Sequence, residues 1–144
     1  MKAFVIVALL CLTSFLHGQS GKYPFYCGLP ESELNSNVDL SKFKTVVTEL
    51  GVKCYVNDGI ERGESLSQTL LIDPKAKTVF SYILDFATDE FGELALNEFL
   101  KTIVETSVEI SQTEWRLYKY GKTVNIRLEN ENHEKWSLIF ILAN

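Results

Sequence analysis

Residues 88–111 read TDEFGELALNEFLKTIVETSVEIS, and the spacing of their apolar side chains decides the fold class. Leu96, Phe99, Leu100, Ile103, Ser107 and Ile110 recur at three- and four-residue intervals, which places them on one face of an α-helix. Thr88 is the expected N-cap, with Asp89 and Glu90 in the first turn, where the positive end of the helix dipole favours acids. Glu98, Lys101 and Glu105 fall on the opposite, wet face at pairing distances. Gly92 weakens the N-terminal boundary unless it marks close packing against another element. The β-branched run TIVETSVEI leaves the other end free to fray or become extended.

A helix with one apolar stripe must cover a sheet, and the flanking segments read as strands. On the N-terminal side VKCYVN (52–57) alternates in period two, LSQTLLI (66–72) follows an exposed charged loop, and KTVFSYILDF (77–86) returns after the turn at Asp73-Pro74. On the C-terminal side come EWRLYKY (114–120), a turn at Tyr120-Gly121-Lys122, TVNIRLE (123–129), the polar turn NENHE and finally KWSLIFILAN (135–144). The last strand's unbroken apolar run implies burial on both sides, or an outer face that something covers. A further helix is expected from Asp39 or Ser41, because Phe43, Val46, Val47 and Leu50 follow the i, i+3, i+4, i+7 pattern and Gly51 then stops it.

The expected fold is therefore α+β: one antiparallel sheet of about five or six strands packed against two helices, in the order α-β-β-β-α-β-β-β. The two halves share that order, which raises a duplicated αβββ unit as one reading. Residues 39–144 form this single domain and residues 19–38 an extended aromatic arm and linker, rich in Pro and Gly and carrying Tyr23, Phe25 and Tyr26.

Ahead of the arm, MKAFVIVALLCLTSFLHGQS has a basic start, an apolar core too short for a membrane span, and small polar residues. It reads as a secretory signal peptide over residues 1–18, with cleavage after Ser20 as the alternative. Export implies a secreted, extracellular protein. It also removes Lys2, Cys11 and His17, leaving 13 basic against 19 acidic residues, a formal charge of −6, with His133 as the one histidine. An acidic chain repels phosphate backbones, so nucleic acid is not an expected partner, and no later segment is apolar for long enough to span a membrane. Two cysteines in an exported chain are expected to pair, so Cys27–Cys54 is the anticipated disulfide; a buried free Cys54 is the alternative.

The chemistry of catalysis is thinly represented. His133 lies in a polar turn, there are too few thiol and imidazole side chains for a zinc site, and Asp58, Glu61 and Glu64 match no calcium loop. No metal or other cofactor is expected. Asp85, with Asp89 and Glu90, is the carboxylate group closest to a site, and the plainer reading has it helping to cap the helix.

These observations favour a non-enzymatic binding protein that meets an extracellular protein partner through surface contacts. Tyr23, Phe25 and Tyr26 in the arm, and Arg116, Tyr118 and Tyr120 on the outer face of the sheet, are the candidate surface, since Tyr, Trp and Arg dominate binding hot spots. Tyr55, Asn125, Arg127 and Ser137 are expected on that same outer face. A carrier of apolar ligands, with Phe80, Leu96, Phe99, Trp136 and Phe140 lining a cavity between helix and sheet, is the alternative. A carboxylate-based hydrolase is the weakest reading.

Overall fold

The computed structural model describes residues 23–143. The expected signal peptide and the first residues of the expected arm lie outside them. Eight strands form one antiparallel sheet: β1 (Lys44–Val47), β2 (Lys53–Asn57), β3 (Leu66–Ile72), β4 (Val79–Phe86), β5 (Val108–Ser111), β6 (Glu114–Lys119), β7 (Lys122–Glu131) and β8 (Lys135–Leu142). Among the described residues two α-helices accompany them, the single turn α1 (Leu34–Asn37) and the long α2 (Glu90–Thr106). The spatial order is β1-β2-β3-β4-β8-β7-β6-β5. Each half of the chain makes a four-stranded meander, and the two meanders join through their last strands.

The α+β class stands, while the strand count and the first helix need correction. Residues 44–47 form β1, paired with β2 from Lys44↔Val56 to Val47↔Lys53, and only Leu40–Lys42 before them make a helical turn, of the 3₁₀ kind. The helix-like spacing of Phe43, Val46, Val47 and Leu50 is overruled by the β-branched run Thr45-Val46-Val47, which suits a pleated edge. The expected linker, in turn, contains 3₁₀ turns and α1. The long helix also ends earlier, at Thr106, and residues 108–111 become β5. Its N-cap is Asp89, whose Oδ1 accepts a hydrogen bond from Gly92 N at 2.8 Å, and not Thr88. Gly92 is required by close approach: a Cβ there would stand 1.8 Å from the Ala87 carbonyl oxygen.

Register separates the two faces of the sheet. Tyr55, Leu70, Tyr82, Phe140, Ile126 and Trp115 stand opposite one another on six neighbouring strands, and all but the half-buried Tyr55 are buried. This is the covered face. Ala95, Leu96, Phe99 and Ile103 of α2 pack within the same core, with the Phe99 ring edge-on to Phe86 at 5.7 Å. The rest of that face is closed by the N-terminal segment, whose Phe25, Tyr26, Cys27, Leu29 and Leu34 belong to the same cluster. Phe25 stacks on Phe140 at 4.3 Å and Tyr26 meets Tyr82 edge-on at 5.3 Å. Both arm residues hold left-handed backbone, φ 49° and 61°. That conformation costs a non-glycine residue about 1–2 kcal/mol, which two buried rings offset.

Cys27 and Cys54 are both free, and no disulfide joins them. The reason is the parity of β2. Tyr55 and Lys53 point to the covered face, so Cys54 between them points to the other, while Cys27 is sealed in the core on the covered side. A bridge would have to pass through the sheet. A non-covalent tie takes its place: Glu31 Oε1 accepts from Lys53 Nζ at 2.6 Å and from the Tyr55 hydroxyl at 2.9 Å, gripping β2 by the two neighbours of Cys54. Those bonds, the lysine's first, hold the Glu31 carboxyl below the usual carboxylate range.

Candidate interaction surface

On the face turned away from α2, two rows of residues cross the sheet in register. One runs Lys44, Val56, Thr69, Ile83, Ile139, Arg127, Glu114; the other runs Val46, Cys54, Leu71, Ser81, Ile141, Asn125, Arg116, Val108. Nothing among the described residues forms a layer over them, because α1, α2 and the arm all belong to the other side. The β1–β4–β8 part of these rows is apolar at Val46, Val56, Leu71, Ile83, Ile139 and Ile141; the β7–β6 part is cationic and polar. Ile83 and Ile139 are half-buried by their own neighbours, whereas Ile141 keeps 39% of its surface exposed.

Between the two parts lies a shallow depression of about 280 Å³ bordered by Ile110, Arg116, Asn125, Arg127, Ile139 and Ile141. Its arginines are positioned by neighbours on the sheet: Arg116 Nε donates to Asn125 Oδ1 at 3.0 Å, and Arg127 Nε pairs with Glu129 Oε1 at 2.6 Å. A second, wider hollow of about 590 Å³ adjoins it at the β6–β7 end, with Arg116, Tyr118, Thr123 and Asn125 on its wall. Tyr118 projects from β6 with 60% of its surface exposed. Tyr120 stands at the hairpin tip, 58% exposed, where it and Gly121 both have positive φ, as a two-residue type I′ turn demands.

Of the six candidate surface residues, the structure therefore gathers Arg116, Tyr118 and Tyr120 at one end of the open sheet, with Asn125 and Arg127 beside Arg116. The arm does not join them. Phe25 and Tyr26 are buried as core, and half-buried Tyr23 donates its hydroxyl proton to Glu33 at 3.1 Å while its ring lies under Lys122 Nζ at 5.3 Å. Tyr55, expected outside, faces inward to Glu31.

Of the residues proposed to line a ligand cavity, all but Phe80 belong to or pack against the one hydrophobic core cluster. Leu96, Phe99 and Phe140 are core, Phe140 stacking between Phe25 and Tyr82, while Phe80 and Trp136 are only half-buried. None of the five borders either hollow of the open face or the depression near Asp89.

Asp85 lies on the open side, accepting from the Ser137 hydroxyl and pairing with Lys135 Nζ at 3.5 Å, whereas Asp89 is turned into the first turn of α2. The two carboxylates thus serve separate structural ends. His133 is exposed in the β7–β8 turn. Asp58 accepts from the Ser67 hydroxyl at 3.0 Å and Glu64 pairs with Arg62 at 3.4 Å, and among the described residues no three acidic, thiol or imidazole groups converge as a metal site.

Sequence reading saw the two apolar faces of the last strand but not its place beside β4, and that adjacency is what turns Ile83, Ile139 and Ile141 into a patch. Compared with protein-family models, curated proteins and solved structures, the chain matches none.

Proposed function

We propose that this chain is an extracellular, non-enzymatic binding protein that engages another protein through the uncovered face of its sheet. One observation carries the reading: apolar residues of β1–β4 and β8 line up across a face over which no described element lies, and Arg116, Arg127 and Tyr118 border them. An apolar centre rimmed by arginine and tyrosine is the composition of a protein interface, and the arginines select a partner with carboxylates at the matching rim. In an acidic chain these two cations stand out as the polar anchors.

The test is capture of partners from extracellular fluid by immobilised wild type and by two variants. Ile141→Asp, where the apolar rows meet the cationic part, and Tyr118→Ser, at the rim, are expected to lower capture of the same partner at least tenfold. Leu94→Asp, on the exposed side of α2, is expected to leave it unchanged. Equal capture by wild type and Ile141→Asp removes the open face from the reading.

A further inference from the structure

The two margins of the sheet share a property its interior lacks. β1 and β5 are four residues long and exposed at every position, and among the described residues each has a strand on one side only. Four of the eleven exposed large apolar side chains of the described residues lie on these two short strands: Val46 and Val47 on one, Val108 and Ile110 on the other. Edge strands are ordinarily guarded by proline, several charges or a bulge. β1 has only Lys44; β5 has Glu109 and an irregular register beside it.

The margins differ in charge. Residues 42–50 carry Lys42 and Lys44 against Glu49, a net +1, whereas residues 104–114 carry Glu105, Glu109 and Glu114 and no base, a net −3. Pairing β5 with β5 of a second copy would bring two acidic margins together, and pairing β1 with β1 would bring the lysines together. Pairing β1 with β5 is the attractive combination. It also fits the strand directions. In an antiparallel sheet of eight strands the first and last run oppositely, so a second copy set beside the first without being turned over continues the alternation.

We propose that copies of this chain associate head to tail, β1 of one extending the sheet at β5 of the next. Such a junction is heterologous, leaving a free β1 at one end and a free β5 at the other. With a twist of about 20–25° per strand, eight strands turn the next copy by roughly 160–200°, so successive copies wind into an open array.

Sedimentation of the secreted protein from micromolar to millimolar concentration tests this with two edge-blocked variants, Val46→Asp on β1 and Ile110→Asp on β5. Wild type is expected to climb past twice the monomer mass without a plateau, and to fall back as salt is added. Each variant alone is expected to remain monomeric. Their equimolar mixture is expected to stop at the dimer, since it holds one intact β1 and one intact β5 per pair. A monomeric wild type at every concentration, a monomeric mixture, or dimerisation of either variant alone overturns the proposal, the last by revealing a two-fold junction. Circular dichroism identifies a variant that has lost the fold, in which case Val47→Asp or Val108→Asp takes its place.

Discussion

The thiol of Cys27 should be among the least reactive groups in the folded protein. It is fully buried, and burial pushes it from an ordinary 9.0 up to about 12, against the opposing pull of a backbone hydrogen bond at Tyr82. Below both values the thiolate population falls tenfold for each step between them, so the reactive form is depleted about a thousandfold before access is considered. Cys54 is 7% exposed on the open face, and burial raises its thiol as well. Alkylation of the protein in the absence of reductant, followed by peptide mapping, separates the cases. Denatured protein is expected to take up label at both cysteines. Native protein is expected to label at Cys54 first, and at Cys27 only at the rate of unfolding, so that a denaturant series on Cys27 reports global stability. A Cys27–Cys54 linked peptide in the unreduced digest would refute the assignment of the two cysteines to opposite faces. Labelling of Cys27 as fast as Cys54 under native conditions would refute its burial.

Phe140→Ala removes a fully buried ring stacked against Phe25 and close to Tyr82, and is expected to cost about 3–5 kcal/mol in denaturant unfolding; a loss below about 1 kcal/mol would mean that the arm does not pack there. Gly92→Ala places a methyl group against the Ala87 carbonyl and is expected to cost about 1–3 kcal/mol, read as a lower melting temperature. Glu31 has its carboxyl held below 4.5, so its stabilising effect is fully present above that value and is lost as pH falls through the lower folded value. Comparing wild type with Glu31→Gln, the wild-type advantage should therefore shrink below about pH 4.5; an advantage unchanged into strong acid would count against the tie to Lys53 and Tyr55.

Six of the eight strands, the long helix and its buried side chains were legible because each has one face in the core. Burial on a single face imposes a period on the sequence, and that period can be read. β1 and β5 escaped for the opposite reason: exposed on both faces, they carry no alternation, and Phe43, Val46, Val47 and Leu50 fell into helical spacing without a helix to cause it. The Cys27–Cys54 expectation failed on a related point. Cys54 does alternate with Lys53 and Tyr55, but in β2 both faces are partly apolar, and which one α2 and the arm would cover depends on elements distant in sequence. The same ambiguity put Tyr55 on the wrong side. That Tyr118 and Tyr120 stand outside the core, with Arg116 beside them, could be read from residue type and strand position, while the apolar rows needed the knowledge that β4 and β8 are neighbours.

That adjacency governs when the molecule can form. β8 is the latest strand in chain order and sits at the middle of the sheet, bonded to β4 on one flank and β7 on the other. Until it has been synthesised, the β1–β4 meander keeps an open inner edge at β4, and contacts so distant in sequence form slowly. Elongation at about 5–20 residues per second keeps that edge open for several seconds after β4 is made. A chain built this way leaves the β4 edge unsealed until β8 has been made, and that waiting edge is the place where a holdase would act.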